Sequence, residues 1–151
     1  MNCGEDGRLI KMQLEELTTG LEQEEIYMIK DYLVRKKKRN ESVALNDIRN
    51  LDTTSLIDAI KIANVLGYEN FESYEDVAVY PRGYRILSKV PRVPANIVDN
   101  LVNNFKSFQH ILMASIEQLD EVEGIGEVRA KAIKQALKRM QEQFVFDNVM
   151  L

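Results

Sequence analysis

Apolar residues recur three and four positions apart along most of the chain, which is the spacing of helices that bury one face. In the N-terminal part this pattern predicts two successive helices, separated or kinked at Gly20. The apolar stripe of the first consists of Leu9, Ile10, Leu14, Leu17 and Leu21, and that of the second of Ile26, Ile29, Leu33 and Val34. The pattern therefore indicates a helical bundle at the start of the chain.

A third helix is predicted over residues 53–66. Asp52 precedes it as a candidate N-cap, and Gly67 follows where a left-handed residue often ends a helix. Its apolar face consists of Leu56, Ile57, Ile60 and Ala63. The aromatic and acidic segment 68–80 is interpreted as a short helix or loop that packs against the bundle.

The most informative stretch is LDEVEGIGEVRAKAI, residues 119–133. Its spacing is that of a helix-hairpin-helix motif, in which a tight Gly-apolar-Gly hairpin joins two short helices. The first helix is expected to end near Glu121 or Val122, and the second to run over residues 127–141. This full spacing is much more specific than an isolated glycine-rich turn.

Each position of the hairpin has a physical role. Gly124 and Gly126 permit backbone conformations and close approaches that a Cβ atom would obstruct. Ile125 can turn inward, and the small Ala130 lets the helices cross closely. The amides around residues 124–128 would then face outward at a helix N-terminus, where an anion such as a DNA phosphate binds. The alternative is a tight turn without a ligand, or a motif used for protein docking.

A degenerate second copy lies upstream, in residues 83–105. It has a short helix over residues 84–88, a Val-Pro-Arg-Val hairpin and a helix opened by Pro94, with Lys89 and Arg92 as cations in place of glycine amides. A connector helix over residues 107–114 completes a five-helix double unit. Two such hairpins, side by side, can grip both strands of a duplex across the minor groove through phosphates without reading bases.

Charge divides the chain in two, although its formal net charge is only -4. Residues 1–81 carry 10 basic and 16 acidic side chains, residues 82–139 carry 10 and 6, and the remainder is net -2. The negative total, which alone argues against a nucleic-acid binder, thus conceals a basic region. We predict an all-α chain with a helical spine over residues 1–80, a tandem helix-hairpin-helix domain over 81–141 and a C-terminal tail over 142–151.

Other classes of function find little support in the sequence. The basic run at residues 35–39 is either an anion patch or, in the simpler interpretation, a solvated helix end whose cations complement the helix dipole. With Cys3 and His110 as the single residues of their types, a thiol-based zinc site and a nucleophilic catalytic system are improbable. No apolar run is long enough for a membrane span. We expect a cytoplasmic, nucleoid-associated protein without a cofactor, metal or membrane partner.

The two hairpin segments, together with EDGRLIKMQLEEL at residues 5–17, resemble the C-terminal region of the bacterial DNA-integrity scanning (DisA) family of diadenylate cyclases. The resemblance implies an architecture in which an N-terminal cyclase domain makes cyclic di-AMP from two ATP and assembles as an octamer. A helical spine and a double helix-hairpin-helix domain follow, and branched DNA bound there suppresses the cyclase. The resemblance covers essentially the whole of this chain.

The cyclase motifs of that family, Asp-Gly-Ala and Arg-His-Arg, do not occur here. The nearest strings are Asp6-Gly7-Arg8 and His110 between Gln109 and Ile111, so no catalytic residue is assigned and the octamer is expected to need the absent domain. We expect non-sequence-specific DNA binding, with sensing of branched DNA, as the role of this part. The alternative is a protein-interaction or oligomerisation module, whereas a base-excision enzyme is disfavoured because no base pocket fits. The candidate DNA-binding residues are Lys89, Arg92, Gly124, Ile125, Gly126, Val128, Arg129 and Lys131.

Overall fold

A computed structural model describes residues 3–34, 40–69 and 79–149 of the chain. These residues form helices and connections without any strand, which confirms the all-α prediction. The basic run at 35–39 and most of segment 68–80 lie outside the described residues. In chain order the helices are α1 (Cys3–Thr18), α2 (Leu21–Tyr32), α3 (Glu41–Arg49), α4 (Thr53–Leu56), α5 (Ala59–Val65), α6 (Tyr84–Leu87), α7 (Ala95–Asn104), α8 (Phe108–Met113), α9 (Ile116–Asp120) and α10 (Glu127–Val149).

The first two helices form where the apolar periodicity predicts them. Gly20 has φ 86°, a left-handed conformation that glycine adopts without steric cost, and it separates α1 from α2 as expected. Ile29 of α2 and its C-cap residue Leu33 pack with Ala44 of α3 in a small core. The first predicted apolar stripe does not become a buried face, because its four members on α1 and Leu21 at the start of α2 are all about half exposed or more, with Leu17 reaching 76%.

Helix α3 has no counterpart among the predicted helices. Its N-cap is Asn40, whose side-chain oxygen accepts a hydrogen bond from the Ser42 amide at 3.0 Å. The helix is short, and Ala44 is its fully buried apolar residue. A single small apolar anchor gives too weak a periodic signal to identify the helix from the sequence.

The predicted helix over residues 53–66 is wrong as a single element, because it breaks between α4 and α5. Asp58 lies at the break, and its carboxylate accepts hydrogen bonds from the amides of Ile60 and Lys61, which makes it the N-cap of α5. Asp52 does not cap α4 in this way, since its carboxylate accepts from the Thr54 hydroxyl instead. The predicted face is also split, and Ile57 is 85% exposed. Gly67 does take the expected left-handed conformation, with φ 94°.

The C-terminal helices α6–α10 surround a single apolar core. Its fully buried members come from every helix of the unit and are Leu87, Leu101, Ile111, Leu119, Ile133 and Leu137. Helix α8 lies where the connector helix is predicted. Helix α10 is longer than predicted, because it continues past residue 141 to Val149 with Phe144, Val145 and Phe146 exposed.

The two predicted motifs adopt the same local backbone at an offset of 32 residues. The Val90 amide donates to Leu87 O at 3.0 Å, and the Val122 amide donates to Leu119 O at 3.2 Å. Two residues further on, Arg92 has φ 62° and Gly124 has φ 80°, so both hairpins place a left-handed residue at the same point. The degenerate copy is therefore a true structural repeat of the glycine-containing one.

A buried carboxylate joins the spine to this C-terminal unit. Asp31, at the end of α2, accepts hydrogen bonds from the amides of Gly83 and Tyr84 at 2.9 and 2.6 Å, so its carboxylate satisfies amides at the start of α6, whose N-cap residue is Gly83. Burial raises the pKa of Asp31, and these amide bonds oppose the rise. Nearby, Arg82 Nη1 donates to Lys30 O at 2.9 Å. Both contacts fix the end of α2 against the start of the tandem motif.

Candidate nucleic-acid interface

In the hairpin between α9 and α10, the internal packing of the chain requires glycine at Gly124. Its φ of 80° is strained for any other residue type, and a Cβ atom there would lie 2.6 Å from Ile97 Cδ1. Beside it, Ile125 is buried and its amide donates to Val122 O at 2.9 Å. Ala130 is also fully buried, as the close crossing of the two helices predicts.

Gly126 differs from Gly124, because nothing inside the chain requires a glycine there. A Cβ atom added to it would meet no atom within 4 Å, and its φ is not among the positive values. Within the chain, the special backbone conformation and the close approach predicted for both glycines are therefore found only at Gly124. What its missing side chain provides is open space on the solvent side of the hairpin.

This open space lies at the N-terminus of α10. The first helical hydrogen bond runs from the Ala130 amide to Gly126 O at 2.9 Å, so the amides of residues 126–129 precede the helical ladder. Four such donors at the positive end of a helix dipole attract an anion. Val128 contributes only its amide to this group, and its side chain is 85% exposed.

Two side chains hold successive carbonyls of the same hairpin. Asn100 Nδ2, on α7, donates to Glu123 O at 2.8 Å, and Arg129 Nη1 donates to Gly124 O at 2.5 Å. Arg129, predicted as a phosphate contact, is thus used in part to hold the turn. Sequence reasoning missed Asn100, because its partner is 23 positions away and no local pattern indicates the pairing.

The lysines of α10 are not equally available to a ligand. Lys131 pairs with Glu127 at 2.5 Å on the exposed surface, which raises the pKa of Lys131 and lowers that of Glu127. Lys134 Nζ instead donates to Leu112 O and Ala114 O at 2.7 and 2.6 Å, so it satisfies carbonyls at the end of α8. Lys134 is therefore part of the packing of the fold, whereas Lys131 lies one helical turn from the hairpin amides.

The other hairpin presents fewer amides and a different charge environment. Pro94 takes the place of Gly126 and has no N–H to donate. Arg92 is exposed in its left-handed conformation, while Lys89 Nζ lies 3.4 Å from a Glu24 carboxylate oxygen of α2. Arg85 Nε donates to the same oxygen at 2.8 Å, and this bond is the main reason why the pKa of Glu24 is lowered. The predicted contact Lys89 is thus engaged by the spine.

The described residues lack the features that two other kinds of chemistry would need. Within residues 3–34, 40–69 and 79–149, no group of three or more His, Cys, Asp and Glu side chains is arranged to hold a metal ion. In the same part of the chain, no helix combines the length and the apolarity that crossing a bilayer demands.

The repeated hairpins and their shared core define the class: the C-terminal unit is a tandem helix-hairpin-helix domain. In agreement, residues 84–139 match the family model described as a SAM-like helix-hairpin-helix tandem. Residues 1–75 match the DisA bacterial checkpoint controller linker region. The chain belongs to the DisA family, of which it represents the linker and helix-hairpin-helix part.

Proteins named DNA integrity scanning protein DisA are similar to the chain over nearly its whole length. The protein of Acetivibrio thermocellus is 47% identical over 146 residues, which are 96% of this chain and 40% of the relative. That of Carboxydothermus hydrogenoformans is 46% identical over 140 residues, 93% of this chain and 40% of the relative. That of Clostridioides difficile is 46% identical over 150 residues, which are 98% of this chain and 41% of the relative.

The chain thus spans about two fifths of the length of the curated relatives it matches, and it corresponds to their C-terminal part. The two matched regions are a linker and a helix-hairpin-helix tandem, and neither is a cyclase domain. This confirms the expectation that these 151 residues hold no cyclase domain. DNA binding in general follows from the tandem domain and the family.

Proposed function

We propose that the chain binds DNA through backbone phosphates and without reading base sequence. The observation that carries the proposal is the start of α10, where the amides of residues 126–129 precede the helical ladder beside the open position of Gly126. A phosphate oxygen fits such a group of donors, because the missing side chain lets it approach the backbone closely. Backbone amides and phosphates carry no sequence information, so the contact is independent of the bases.

The two hairpins are proposed to contribute unequally. The hairpin of Gly124 and Gly126 supplies amides, with Lys131 one turn away, while the other supplies the side chain of Arg92. A site of this size neutralises roughly 4 to 6 phosphates, so the logarithm of the binding constant falls against the logarithm of salt concentration with a slope of about -4 to -5. Weak, strongly salt-dependent binding is the expected behaviour.

We further propose that this module is the DNA-sensing part of a DisA-type diadenylate cyclase that acts at the nucleoid, with branched or junction DNA as the preferred ligand. Family membership and the printed name of the relatives, DNA integrity scanning protein, support this assignment. Junction DNA brings phosphates of several strands close together, which suits two hairpins that each contact a backbone. The interaction is proposed to need neither a metal nor a cofactor, since all its donors belong to the chain.

Fluorescence anisotropy with labelled duplex and four-way junction DNA, at 50 and 200 mM salt, tests these proposals. The decisive variant is Gly126→Asp, because aspartate at an N-cap stabilises a helix while its carboxylate competes with phosphate for the amides. We expect DNA binding to fall by more than tenfold with an unchanged or higher melting temperature. Gly126→Asn is the matched control, with the same shape but no charge.

Three outcomes would contradict the proposals separately. Equal DNA affinity of the wild type and Gly126→Asp would show that the hairpin amides do not bind phosphate. A flat salt dependence removes phosphate contacts altogether. Equal affinity for duplex and junction, at each salt concentration, removes the preference for branched DNA while leaving DNA binding intact.

A second candidate function is protein interaction or oligomerisation, favoured by the exposed apolar side chains of α1 and the end of α10. Leu17 is 76% exposed, and Phe144, Val145 and Phe146 are each at least 60% exposed. Exposed apolar groups of this kind mark interaction surfaces when they cluster. Light scattering with and without junction DNA separates the two functions, because a stable oligomer that is indifferent to DNA favours docking.

A further inference from the structure

We propose that Asn100 is a positioning residue that orients the Gly124 amide, so that this hairpin amide can join the amides of residues 126–129 in facing a phosphate. It lies on α7, in the first of the two motifs, yet its side chain reaches the hairpin of the second. The inference rests on the proposed function, since it assigns to Asn100 a role in presenting those amides to DNA.

The geometry of one peptide unit carries the proposal. Asn100 Nδ2 donates to Glu123 O at 2.8 Å. The described part of the chain has no cis peptide bond, so the carbonyl of Glu123 and the amide of Gly124 point in opposite directions within their shared plane. Drawing the carbonyl toward α7 therefore turns the Gly124 amide away from α7. Gly124 itself lies on the exposed surface of the hairpin.

The following peptide unit is held as well. Arg129 Nη1 donates to Gly124 O at 2.5 Å, while the amide of Ile125 donates to Val122 O at 2.9 Å. Because glycine has no Cβ atom, the backbone at Gly124 has more conformational freedom than it would have with another residue type. Two side-chain donors on successive carbonyls remove that freedom before DNA arrives, which lowers the entropic cost of binding.

A second residue of α7 also packs against the hairpin at Gly124. Ile97, three residues before Asn100 on α7, is buried and lies where a Cβ atom of Gly124 would be. Residues three positions apart share a helix face, so Ile97 and Asn100 contact the hairpin together. The first motif, which has fewer amides of its own, thus acts on DNA partly by arranging the amides of the second.

The test is Asn100→Ala, with Asn104→Ala as the matched control. Asn104 lies one turn further along α7, and its side chain donates to Asn100 O rather than to the hairpin. We expect Asn100→Ala to weaken DNA binding by roughly threefold to tenfold, which is the loss typical of a hydrogen bond that positions a site. The slope of affinity against salt should stay unchanged, because no phosphate-contacting cation is removed. Asn104→Ala should change neither affinity nor slope.

A second readout does not depend on DNA. In a nitrogen–proton correlation spectrum, Asn100→Ala should shift and broaden the amide resonances of Gly124 and Ile125, while those of the α10 interior and the melting temperature change little. Asn100→Asp, which keeps the shape but replaces the donor by an acceptor, should produce the same spectral change and a larger affinity loss.

Each result decides between the claims. Full affinity in both Asn100 variants, or unaltered hairpin resonances, would overturn the positioning role even if Gly126→Asp abolishes binding. Absence of DNA binding by the wild type would remove the proposed function, and with it the role of Asn100, even if the spectrum shows that Asn100 orders the turn.

Discussion

The two hairpins of the tandem domain share a backbone but differ in chemistry. Each places a left-handed residue at the same point, Arg92 in one and Gly124 in the other. After it, the first hairpin has Pro94, which lacks an amide hydrogen, and the second has Gly126, which leaves its amide and the space around it open. Conservation of the turn therefore does not imply conservation of the phosphate site.

The difference shows how a repeat can divide two tasks. The second hairpin combines outward amides with two side-chain donors that hold its carbonyls. The first contacts the spine, since Lys89 and Arg85 both engage Glu24 of α2. The second hairpin thus holds the proposed phosphate site, whereas the residues before the first hairpin attach it to the rest of the chain.

The largest expected effect is the difference between the two glycines of the second hairpin. Gly124→Ala should destabilise the fold by about 1 to 3 kcal/mol, because it combines a strained left-handed conformation with a clash against Ile97. Gly126→Ala should change the free energy of unfolding by only about 0.5 kcal/mol or less, since it meets open space. Urea denaturation measures both. Equal costs would show that Gly126 has an internal structural role after all.

Removing the charge of one carboxylate near each hairpin compares the contributions of the two hairpins to DNA affinity. Glu127→Gln frees Lys131 and removes a negative charge at the amide site, so affinity should rise by roughly threefold to tenfold at low salt. Glu24→Gln frees Lys89 and should raise affinity less, because the first hairpin lacks the amides. Since the pKa values of both carboxyls are lowered, neither is protonated near neutral pH, and the ranking should hold from pH 6 to pH 8.

Glu142→Gln is the control for this comparison. Glu142 pairs with Lys138 on α10, about two turns beyond the pair of Lys131 and Glu127. Its affinity should equal that of the wild type in anisotropy titrations. A larger gain for Glu24→Gln than for Glu127→Gln would reverse the assignment and make the first hairpin the main phosphate site.

The smallest effect is expected at Arg92. Arg92→Gly relieves the left-handed strain but adds freedom to the unfolded chain, so a net stabilisation of about 0.5 kcal/mol is expected. Loss of the cation should weaken DNA binding and reduce the salt slope by about 1. Arg92→Lys keeps both charge and strain and should match the wild type in calorimetry and anisotropy. Unchanged affinity of Arg92→Gly would exclude a phosphate contact there.

Much of the fold follows from local sequence signals. Gly67 adopts the left-handed conformation that its position after a helix predicts, and Gly20 separates two helices as predicted. The signals fail where tertiary contacts or side-chain caps decide. Asp58 begins a new helix inside an apolar period that otherwise continues, and α3 forms on a cap and one buried alanine. The exposed stripe of α1 shows that helical spacing predicts a helix but not what covers it.

The sequence predicts which residues form the hairpin, but it does not predict which hydrogen bonds hold them in place. The spacing of Gly124, Ile125 and Gly126 locates the hairpin, and the interpretation of its residues as phosphate ligands stays a prediction. The sequence does not show that Arg129 holds the Gly124 carbonyl or that Lys134 satisfies the end of α8, because both roles depend on distances in the folded chain. Asn100 was missed for the same reason.

The buried contact of Asp31 has a mechanical consequence. Because one carboxylate ends α2 and begins α6, a rotation of α2 about its own axis would drag the first turn of the tandem domain with it unless two hydrogen bonds broke. Helix α2 is 12 residues long, or about 18 Å at 1.5 Å per residue. The Asp31 contact therefore holds the C-terminal end of this helix against the first turn of the tandem domain.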